Sequence, residues 1–500
     1  MNAISSPPPP RPSQTKIVAT IGPASAEAEQ LAALLRSGVD VFRINMAHGN
    51  RPEHQARLEL IRRVSAEIDR PAAVLADLAG PKIRLGELPD GQLMCDADNR
   101  LRFVRDVLPL PVGEGRGEGN SVSGDPPPAT ALTTTYAPLI DELSAGDRVM
   151  LADGTVGLVV EAVGEDYAEC RVVQPGLIRS RQGVNLPGVK LSAPALGVDD
   201  LDNATWAAQN GIDFVGLSFV RTPREVEQLK SLIRSQDSEA QVIAKIEKPE
   251  ALDRLDEIIE ASDGVMVARG DLGVEIDVAR VAVVQKEIIA ACNRSRKPVI
   301  IATQMLDSMQ HARIPTRAEV TDVANAILDG TDACMLSGET AIGKYPRQAV
   351  EMMHRIALAT EPLCRQRSPG PMADLAADGV NQITEATVYA AGRMAEALDA
   401  KLVVVASASG ATALSMAKNR HFVPTVGISD SAATLRRMCL YWGVIPLAGA
   451  PTGNRDALLQ YVTDWGRAAG LLDAGDRIVL VAGTGLAVTA HNMVVVHELE

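Results

Sequence analysis

Eight short runs rich in β-branched residues recur along this chain, and most of them end in a side chain able to do chemistry. They are Lys16–Ile21, Val39–Asn45, Ala72–Asp77, Asp213–Phe219, Gln241–Glu247, Gly264–Ala268, Pro298–Ala302 and Asp332–Leu336. Most are followed by a stretch of helical period, so the repeated unit is strand then helix. Eight such units predict a closed parallel (β/α)8 barrel. At or just past the C-terminal ends of the runs stand Thr20, Arg43 with Asn45, Asp77, Lys245 with Glu247, Asp271, Thr303, and Ser337 with Glu339. Barrels of this kind assemble their sites at that face, from several strand ends at once. One charged strand end means little. This many on one face predict an active site.

Aromatic residues are only 3% of the 500 and hydrophobic ones 46%, so the core is expected to be aliphatic. A net charge of −14 argues against general binding to nucleic acid or to an anionic membrane. The six cysteines (Cys95, Cys170, Cys292, Cys334, Cys364 and Cys439) show no paired metal-ligand spacing and read as reduced thiols of a cytoplasmic protein. No segment approaches the roughly 18 apolar residues of a membrane span. Residues 1–13 carry Pro7 to Pro10 and no apolar signal region, and are expected to form a disordered, Pro-rich tail.

The barrel pattern breaks after Asp77. From Lys82 to Asn185 turn signals replace the helical period, with short alternating runs at Arg148–Leu151 and Val156–Val160. This predicts a β-barrel lid domain over 82–185, with a mobile Gly113–Gly124 loop, inserted into a catalytic barrel over 14–81 and 186–364. Ser368-Pro369-Gly370-Pro371 reads as a linker. Beyond it, Lys401–Ala406, Thr425–Ile428, Asp476–Ala482 and Met493–Glu498 alternate with helical stretches, predicting an open α/β domain over 365–500.

Lys245-Ile246-Glu247 is the sharpest local motif. Residues two apart on a strand face the same side, so an ammonium and a carboxylate enter the barrel mouth together. Glu247 and Asp271 would form a two-carboxylate oxygen site of the kind that suits Mg²⁺. Arg269-Gly270-Asp271-Leu272-Gly273 offers backbone N–H groups to an anion, and Arg43 with Lys245 could stabilise charge on a transferring phosphoryl group. A purely structural ion cluster closing one barrel end is the plainer alternative.

Read end to end, these segments resemble the pyruvate kinase family. The resemblance rests on Thr15–Ser25, Arg43-Ile44-Asn45 with His48-Gly49, Gly80-Pro81, Gly183–Gly188, Lys245-Ile246-Glu247, Met266–Gly273, Ala302–Leu306, Pro315–Glu319 and Met335–Thr340, all in family order. It implies transfer of a phosphoryl group from phosphoenolpyruvate to ADP, giving pyruvate and ATP through an enolate that is then protonated, as the last step of glycolysis. By position, Glu247 and Asp271 would hold Mg²⁺ or Mn²⁺, and Lys245 would stabilise the migrating phosphoryl group. Arg43 would hold the substrate phosphate, with Gly270, Asp271 and Thr303 at its carboxylate. Thr303 or Ser337 would lie on the protonation path through water. Thr20, Pro23, Asn45, His48 and Arg84 fall where the family places nucleotide contacts, though His48 is open to reading as a helix cap or core histidine. The inserted domain is similar to that family's lid and the last domain to its allosteric one. A homotetramer is also implied.

Two departures qualify the resemblance. Where the family usually carries Asn-Phe-Ser-His-Gly this chain has Asn45-Met46-Ala47-His48-Gly49, and where it carries Asp-Thr-Lys-Gly-Pro-Glu this chain has Asp77-Leu78-Ala79-Gly80-Pro81-Lys82. A monovalent-cation site, if present, would be left with Asn45, Asp77 and Leu78. Ala47 lacks the oxygen ligand and Lys82 brings a permanent ammonium, so the chain resembles the branch that works without K⁺. Arg181-Gln182 stands where a lysine pair is common. In the last domain Ser407, Ser409, Gly410 and Thr412 lie between a strand and a helix, a place suited to a sugar-phosphate or nucleotide effector, with an ordinary helix cap as the alternative. The later loop, Ala482-Gly483-Thr484-Gly485-Leu486, lacks the basic or Trp-containing elements of sugar-bisphosphate-regulated relatives. Two competing functions remain: a Mg²⁺-dependent lyase forming a pyruvate enolate on the same barrel, and a regulatory protein without catalysis.

Overall fold

The computed structural model describes residues 13–88, 90–105, 130–366, 381–483 and 492–500. The Pro-rich segment up to residue 12, the Gly113–Gly124 loop, the Ser368–Pro371 linker and Thr484 to Leu486 lie outside them.

All eight runs form strands, and they close into one parallel barrel: Lys16–Thr20, Val41–Asn45, Ala73–Asp77, Phe214–Leu217, Gln241–Ile246, Gly264–Ala268, Val299–Ala302 and Ala333–Leu336. The first strand pairs with the second on one side and the eighth on the other. Side chains alternate in direction along each strand. Ile17, Phe42, Val74 and Val242 belong to the core under the surrounding helices. Val18, Val41, Leu75, Phe214 and Ile243 belong to the packed barrel interior. Two residues further along the same faces come Thr20, Arg43, Asp77 and Lys245. Interior parity alone therefore turns an aliphatic floor into a charged mouth.

The opposite rim is closed by a repeated device. Asp40, Asp213, Asp263 and Asp332 each stand immediately before an even-numbered barrel strand. Their Oδ2 atoms accept the backbone N–H of Ile17, Val74, Val242 and Val299 on the preceding strands, each at 2.8 Å. Their own N–H groups return a bond to the carbonyls of those same residues, at 2.9 to 3.2 Å. Each aspartate thus staples an odd strand to its even neighbour. The staples also explain why the strands start one or two residues later than the β-branched pattern does in several cases.

Between the third strand and the helix Val198–Gln209 that follows it lies the inserted domain. It is a curled six-stranded sheet, in the order Val184–Asn185, Arg148–Leu151, Val156–Val163, Tyr167–Gln174, Arg100–Val104, Thr130–Leu132. A two-stranded pair, Gln92–Cys95 with Gly176–Arg179, covers it. Its own core includes Leu85, Phe103, Leu151, Leu158 and Ile178, and takes in Leu186 and Val189.

The C-terminal domain is a five-stranded sheet with strands Leu402–Ala406, Thr425–Ile428, Val444–Leu447, Arg477–Ala482 and Met493–Glu498. Val444–Leu447 was not anticipated. It is a four-residue edge strand containing Pro446, and an edge is where a strand tolerates proline. This domain docks on the staples of the barrel floor. Arg436 pairs with Asp213 at 2.7 Å, Arg420 with Asp332 at 3.1 Å, and the buried Lys418 with Asp332.

Asp332→Asn keeps a hydrogen-bond acceptor but strips the counter-charge from Lys418, and is expected to destabilise the protein by about 3–5 kcal/mol. Asp263→Asn faces only the part-exposed Lys230 and should cost much less. Thermal and chemical denaturation of the two variants checks the order. Equal losses would show that the floor aspartates act through the backbone alone.

Candidate active site at the barrel mouth

The fifth strand carries Lys245 and Glu247 on one face, and Lys245 Nζ lies 2.9 Å from Glu247 Oε1. It also lies 3.2 Å from Asp77 Oδ1, at the end of the third strand. Neither ion pair is aligned as a hydrogen bond: Glu247 Oε1 and Asp77 Oδ1 are buried without one. Lys245's aligned hydrogen bond goes to Ser218 Oγ, at 2.6 Å. Burial alone would push the Lys245 ammonium toward neutrality, but the carboxylates of Asp77 and Glu247 outweigh it and hold its pKa above the usual value. Asp77 is opposed by burial too, and Lys245 and Arg43 bring it below the usual carboxylate range. Glu247 is raised, chiefly by burial and further by the Asp271 charge, against the pull of Lys245.

Arg43 donates from Nε to Asp77 Oδ2 at 2.7 Å and from Nη1 to Thr20 Oγ1 at 3.1 Å. Thr20 is buried beneath it and donates in turn to the Leu336 carbonyl. Asp77 is therefore committed on both oxygens to cations of the mouth. The Leu78 carbonyl accepts from Ser218 at 2.7 Å, and Asn45 Oδ1 accepts from the Ala47 N–H.

Asp271 sits on the short helix Arg269–Glu275 after the sixth strand, with Lys82 Nζ 3.5 Å from its Oδ1. Thr303, at φ +66°, accepts the Gly270 N–H at 2.7 Å, which joins the sixth and seventh strand ends. Arg269 locks the same corner by donating to the Thr303 carbonyl and pairing with Asp322, each at 2.7 Å. Ser337 Oγ is buried and has no hydrogen-bond partner among the described residues. Glu339, buried and raised in pKa chiefly by that burial, accepts the N–H groups of Leu306 and Ser337 and so acts as a brace between loops. Pro23 and His48 are exposed at the rim. The helix after His48 is capped by Asn50, so His48 is neither cap nor core. Partial burial, then Arg84, Arg43 and Lys82, hold His48 below its usual pKa. Arg43, Lys82 and Arg84 therefore gather around His48 where the inserted domain joins the barrel. In the inserted domain, the Gly154 turn leans on Val274, which a Cβ at Gly154 would approach to 3.1 Å.

In the last domain, Ser407 Oγ accepts the Gly410 N–H at 3.1 Å and Ser409 Oγ that of Ala411 at 3.4 Å. Gly410 has φ +86° and precedes the helix Ala411–Lys418, with Thr412 buried in its first turn.

Two residues at the mouth escaped the sequence reading. Ser218 and Phe219 follow the fourth strand, whose run shows no charge at its C-terminal end. Phe219, at φ +55°, turns its N–H onto Glu247 Oε2 at 2.7 Å, while Ser218 takes the Lys245 ammonium. One turn thus aims both members of the Lys–Glu pair. The available signal was parity: Ser218 lies four residues beyond Phe214, on the same interior face.

A parallel barrel whose mouth gathers an aimed lysine, an arginine and the carboxylates of Asp77, Glu247 and Asp271, with an inserted β domain, defines a barrel enzyme of the phosphotransferase class. Comparison with known proteins gives the family. Residues 12–350 match the barrel domain of pyruvate kinase and residues 385–497 its alpha/beta domain. The chain is 39% identical to the pyruvate kinase of Geobacillus stearothermophilus over 490 residues, 97% of this chain and 80% of that protein. It is 37% identical to that of Staphylococcus epidermidis over 492 residues, 97% of this chain and 80% of that protein. With the pyruvate kinase of Bacillus licheniformis it shares 38% over 473 residues, 94% of this chain and 78% of that protein. The chain belongs to the pyruvate kinase family.

Ser218→Ala is expected to leave the fold intact and lower kcat roughly 10- to 100-fold, the worth of a hydrogen bond to a charged group. Steady-state kinetics beside a thermal melt checks this. Unchanged kcat would mean that the two carboxylates aim Lys245 unaided.

Proposed function

We propose that the chain transfers the phosphoryl group of phosphoenolpyruvate to ADP at this mouth, with Lys245 as the residue that carries the transition state. The observation that supports it best is a buried lysine ammonium held by Ser218 between two carboxylates. Arg43, fixed by Asp77 and Thr20, presents its remaining N–H groups to the substrate phosphate. Gly270, Asp271 and Thr303 receive the substrate carboxylate. Pro23, Asn45, His48 and Arg84 line the nucleotide side, where the basic cluster meets the ADP phosphates, and Thr20 supports it from beneath Arg43.

Glu247 and Asp271 suit Mg²⁺ or Mn²⁺. Among the described residues the buried Glu247 Oε1 has no aligned hydrogen bond, and the cations paired with the two carboxylates are lysines. When bound there, the ion would neutralise substrate oxygens and polarise the phosphoryl group. As the P–O bond to the enol oxygen breaks and a bond to the ADP β-phosphate oxygen forms, Lys245 stabilises charge on the moving group and on the enolate left behind. The enolate carbon then takes a proton through water. Thr303 or the unpartnered Ser337 hydroxyl orders that relay, since neither hydroxyl is acidic enough to serve alone. Residues 82–185 close as a lid, with Lys82 and Arg84 at its root, and exclude water.

K⁺ is not required in this reading. Lys82 Nζ lies in the cleft near Asp271, and Asp77, a potential ligand, is already bound by Arg43 and Lys245. The effector seat at Ser407, Ser409, Gly410 and Thr412, the homotetramer and a cytoplasmic setting belong to the same proposal. Among the described residues no helix is long and apolar enough to cross a membrane.

A coupled assay tests the activity. ATP should form only when phosphoenolpyruvate and ADP are both present, and pyruvate release without ADP would favour the lyase reading. Lys245→Met should lower kcat by about 10²–10³-fold with little change in KM, whereas a change in KM alone would remove Lys245 from the transition state. In buffer whose only monovalent cation is a bulky organic one, activity should persist. Many-fold activation by K⁺ would refute the Lys82 substitution, and Lys82→Glu should create K⁺ dependence or abolish turnover.

A further inference from the structure

Two crossings join the inserted domain to the barrel, residues 78–82 on the way out and 191–197 on the way back. Both are fastened to residues 218–221, just behind the fourth strand. We propose that Arg221 is a positioning residue for the phosphoryl transfer, coupling the returning crossing to the turn at Ser218 and Phe219 that aims Lys245 and Glu247. The inference rests on the reading of Lys245 as the residue that carries the transition state, and its test separates the two.

Arg221 stands just before the helix Pro223–Ser235. In the first turn of that helix, Glu225 Oε2 accepts the backbone N–H groups of Arg221 at 2.7 Å and Thr222 at 2.9 Å. Its Oε1 takes the Arg221 side chain, from Nε at 3.2 Å and from Nη2 at 3.0 Å. A guanidinium is planar, so those two bonds fix where its remaining N–H groups point. They point at the returning crossing: Nη1 donates to the Leu191 carbonyl and Nη2 to the Ala193 carbonyl, each at 2.7 Å. Ser192, between them, is held from the other side. Its N–H and its hydroxyl reach Glu142 Oε1 in the inserted domain at 3.1 and 2.5 Å, beside the Tyr136 hydroxyl. The barrel thus grips residues 191 and 193 while the inserted domain grips the residue between.

The outgoing crossing meets the same turn. The Leu78 carbonyl accepts from Ser218 Oγ at 2.7 Å. Gly80, at φ +66°, packs so closely that a Cβ there would come within 2.8 Å of the Phe219 ring and 2.9 Å of Ser218 Cβ. Asp200, buried at the start of the helix Val198–Gln209, accepts the N–H of Gly80 at 3.2 Å and of Gly197 at 3.3 Å, and so ties the two crossings together. Phe219 holds φ +55°, which a bulky residue keeps only where its surroundings impose it. Gly80 presses on one side of it and Arg221 is anchored two residues further on, with the fully buried Val220 between. A displacement of the returning crossing therefore reaches the Phe219 N–H on Glu247 and the Ser218 hydroxyl on Lys245 through two peptide units, with no free loop to absorb it.

Steady-state kinetics and hydrogen–deuterium exchange on the full chain test this with Arg221→Gln, which removes the ionic fork. kcat should fall about tenfold or more with little change in KM for phosphoenolpyruvate, because the aim of Lys245 is lost rather than the substrate's seat. The same substitution should cost less in a Ser218→Ala background, since both act on one turn. Exchange should quicken at residues 190–194 and also at 217–220. Arg221→Lys keeps the charge without the fork and should show the same pattern more weakly, which serves where Arg221→Gln does not fold. A higher KM for ADP at unchanged kcat, an equal cost in both backgrounds, or faster exchange at 190–194 alone would overturn the proposal and leave Arg221 as a tie for the inserted domain. If the wild-type chain forms no ATP, the functional reading falls and exchange alone decides the coupling: protection at 217–220 that survives the loss of Arg221 overturns it.

Discussion

Closure of the eight-stranded barrel is the constraint on which everything else in this molecule depends. Its strands are four to six residues long, so each has room for one or two interior aliphatic residues and one polar terminus. The interior residues Val18, Leu75, Phe214 and Ile243 fill the floor, and the next residues of the same parity have nowhere to point but the mouth. Charge is thus confined to the two rims. At the floor it is structural: four aspartates staple strand pairs, and two of them seat the C-terminal domain. At the mouth ion pairing of the same kind gathers side chains from several strand ends around one cleft.

The difference between the rims lies in what the charges are tied to. Asp213 and Asp332 each receive a backbone N–H and arginine or lysine partners, although Asp332 Oδ1, like Glu247 Oε1, is buried without an aligned hydrogen bond among the described residues. Glu247 and Asp271 instead share a neighbourhood in which lysine charges stand close without full hydrogen bonding. Burial and the Asp271 charge raise the pKa of Glu247 against the pull of Lys245. Lys245 and Lys82 are cations that face these carboxylates. A divalent ion held by Glu247 and Asp271 would take over that task and free both ammonium groups for phosphate oxygens.

Much of this was legible in the chain itself, because the barrel's regularity is a regularity of sequence. The β-branched runs, the interruption after Asp77 and the charged strand ends all follow from short-range pattern. What escaped depends on direction and on distant partners. Ser218 looks like any serine beyond a strand until Lys245 is brought to its hydroxyl from 27 residues away. The floor staples were visible in part, as Gly38-Val39-Asp40, Gly211-Ile212-Asp213 and Gly330-Thr331-Asp332, yet their meaning lies in backbone bonds to other strands. Val444–Leu447 was hidden by Pro446, which only an edge position permits. His48 was ambiguous from sequence because a cap, a core residue and a rim residue share the same local pattern; Asn50 takes the cap and leaves His48 at the rim.

Binding of Mn²⁺ to the full chain, followed by electron paramagnetic resonance of the free ion and without any substrate, tests directly whether the lysines stand in for a metal at the mouth. Glu247→Gln and Asp271→Asn should each weaken binding by more than about tenfold, whereas Lys82→Met should tighten it by removing the cation that now faces Asp271. Binding that survives both carboxylate substitutions, or that weakens when Lys82 is lost, would contradict this reading of the site.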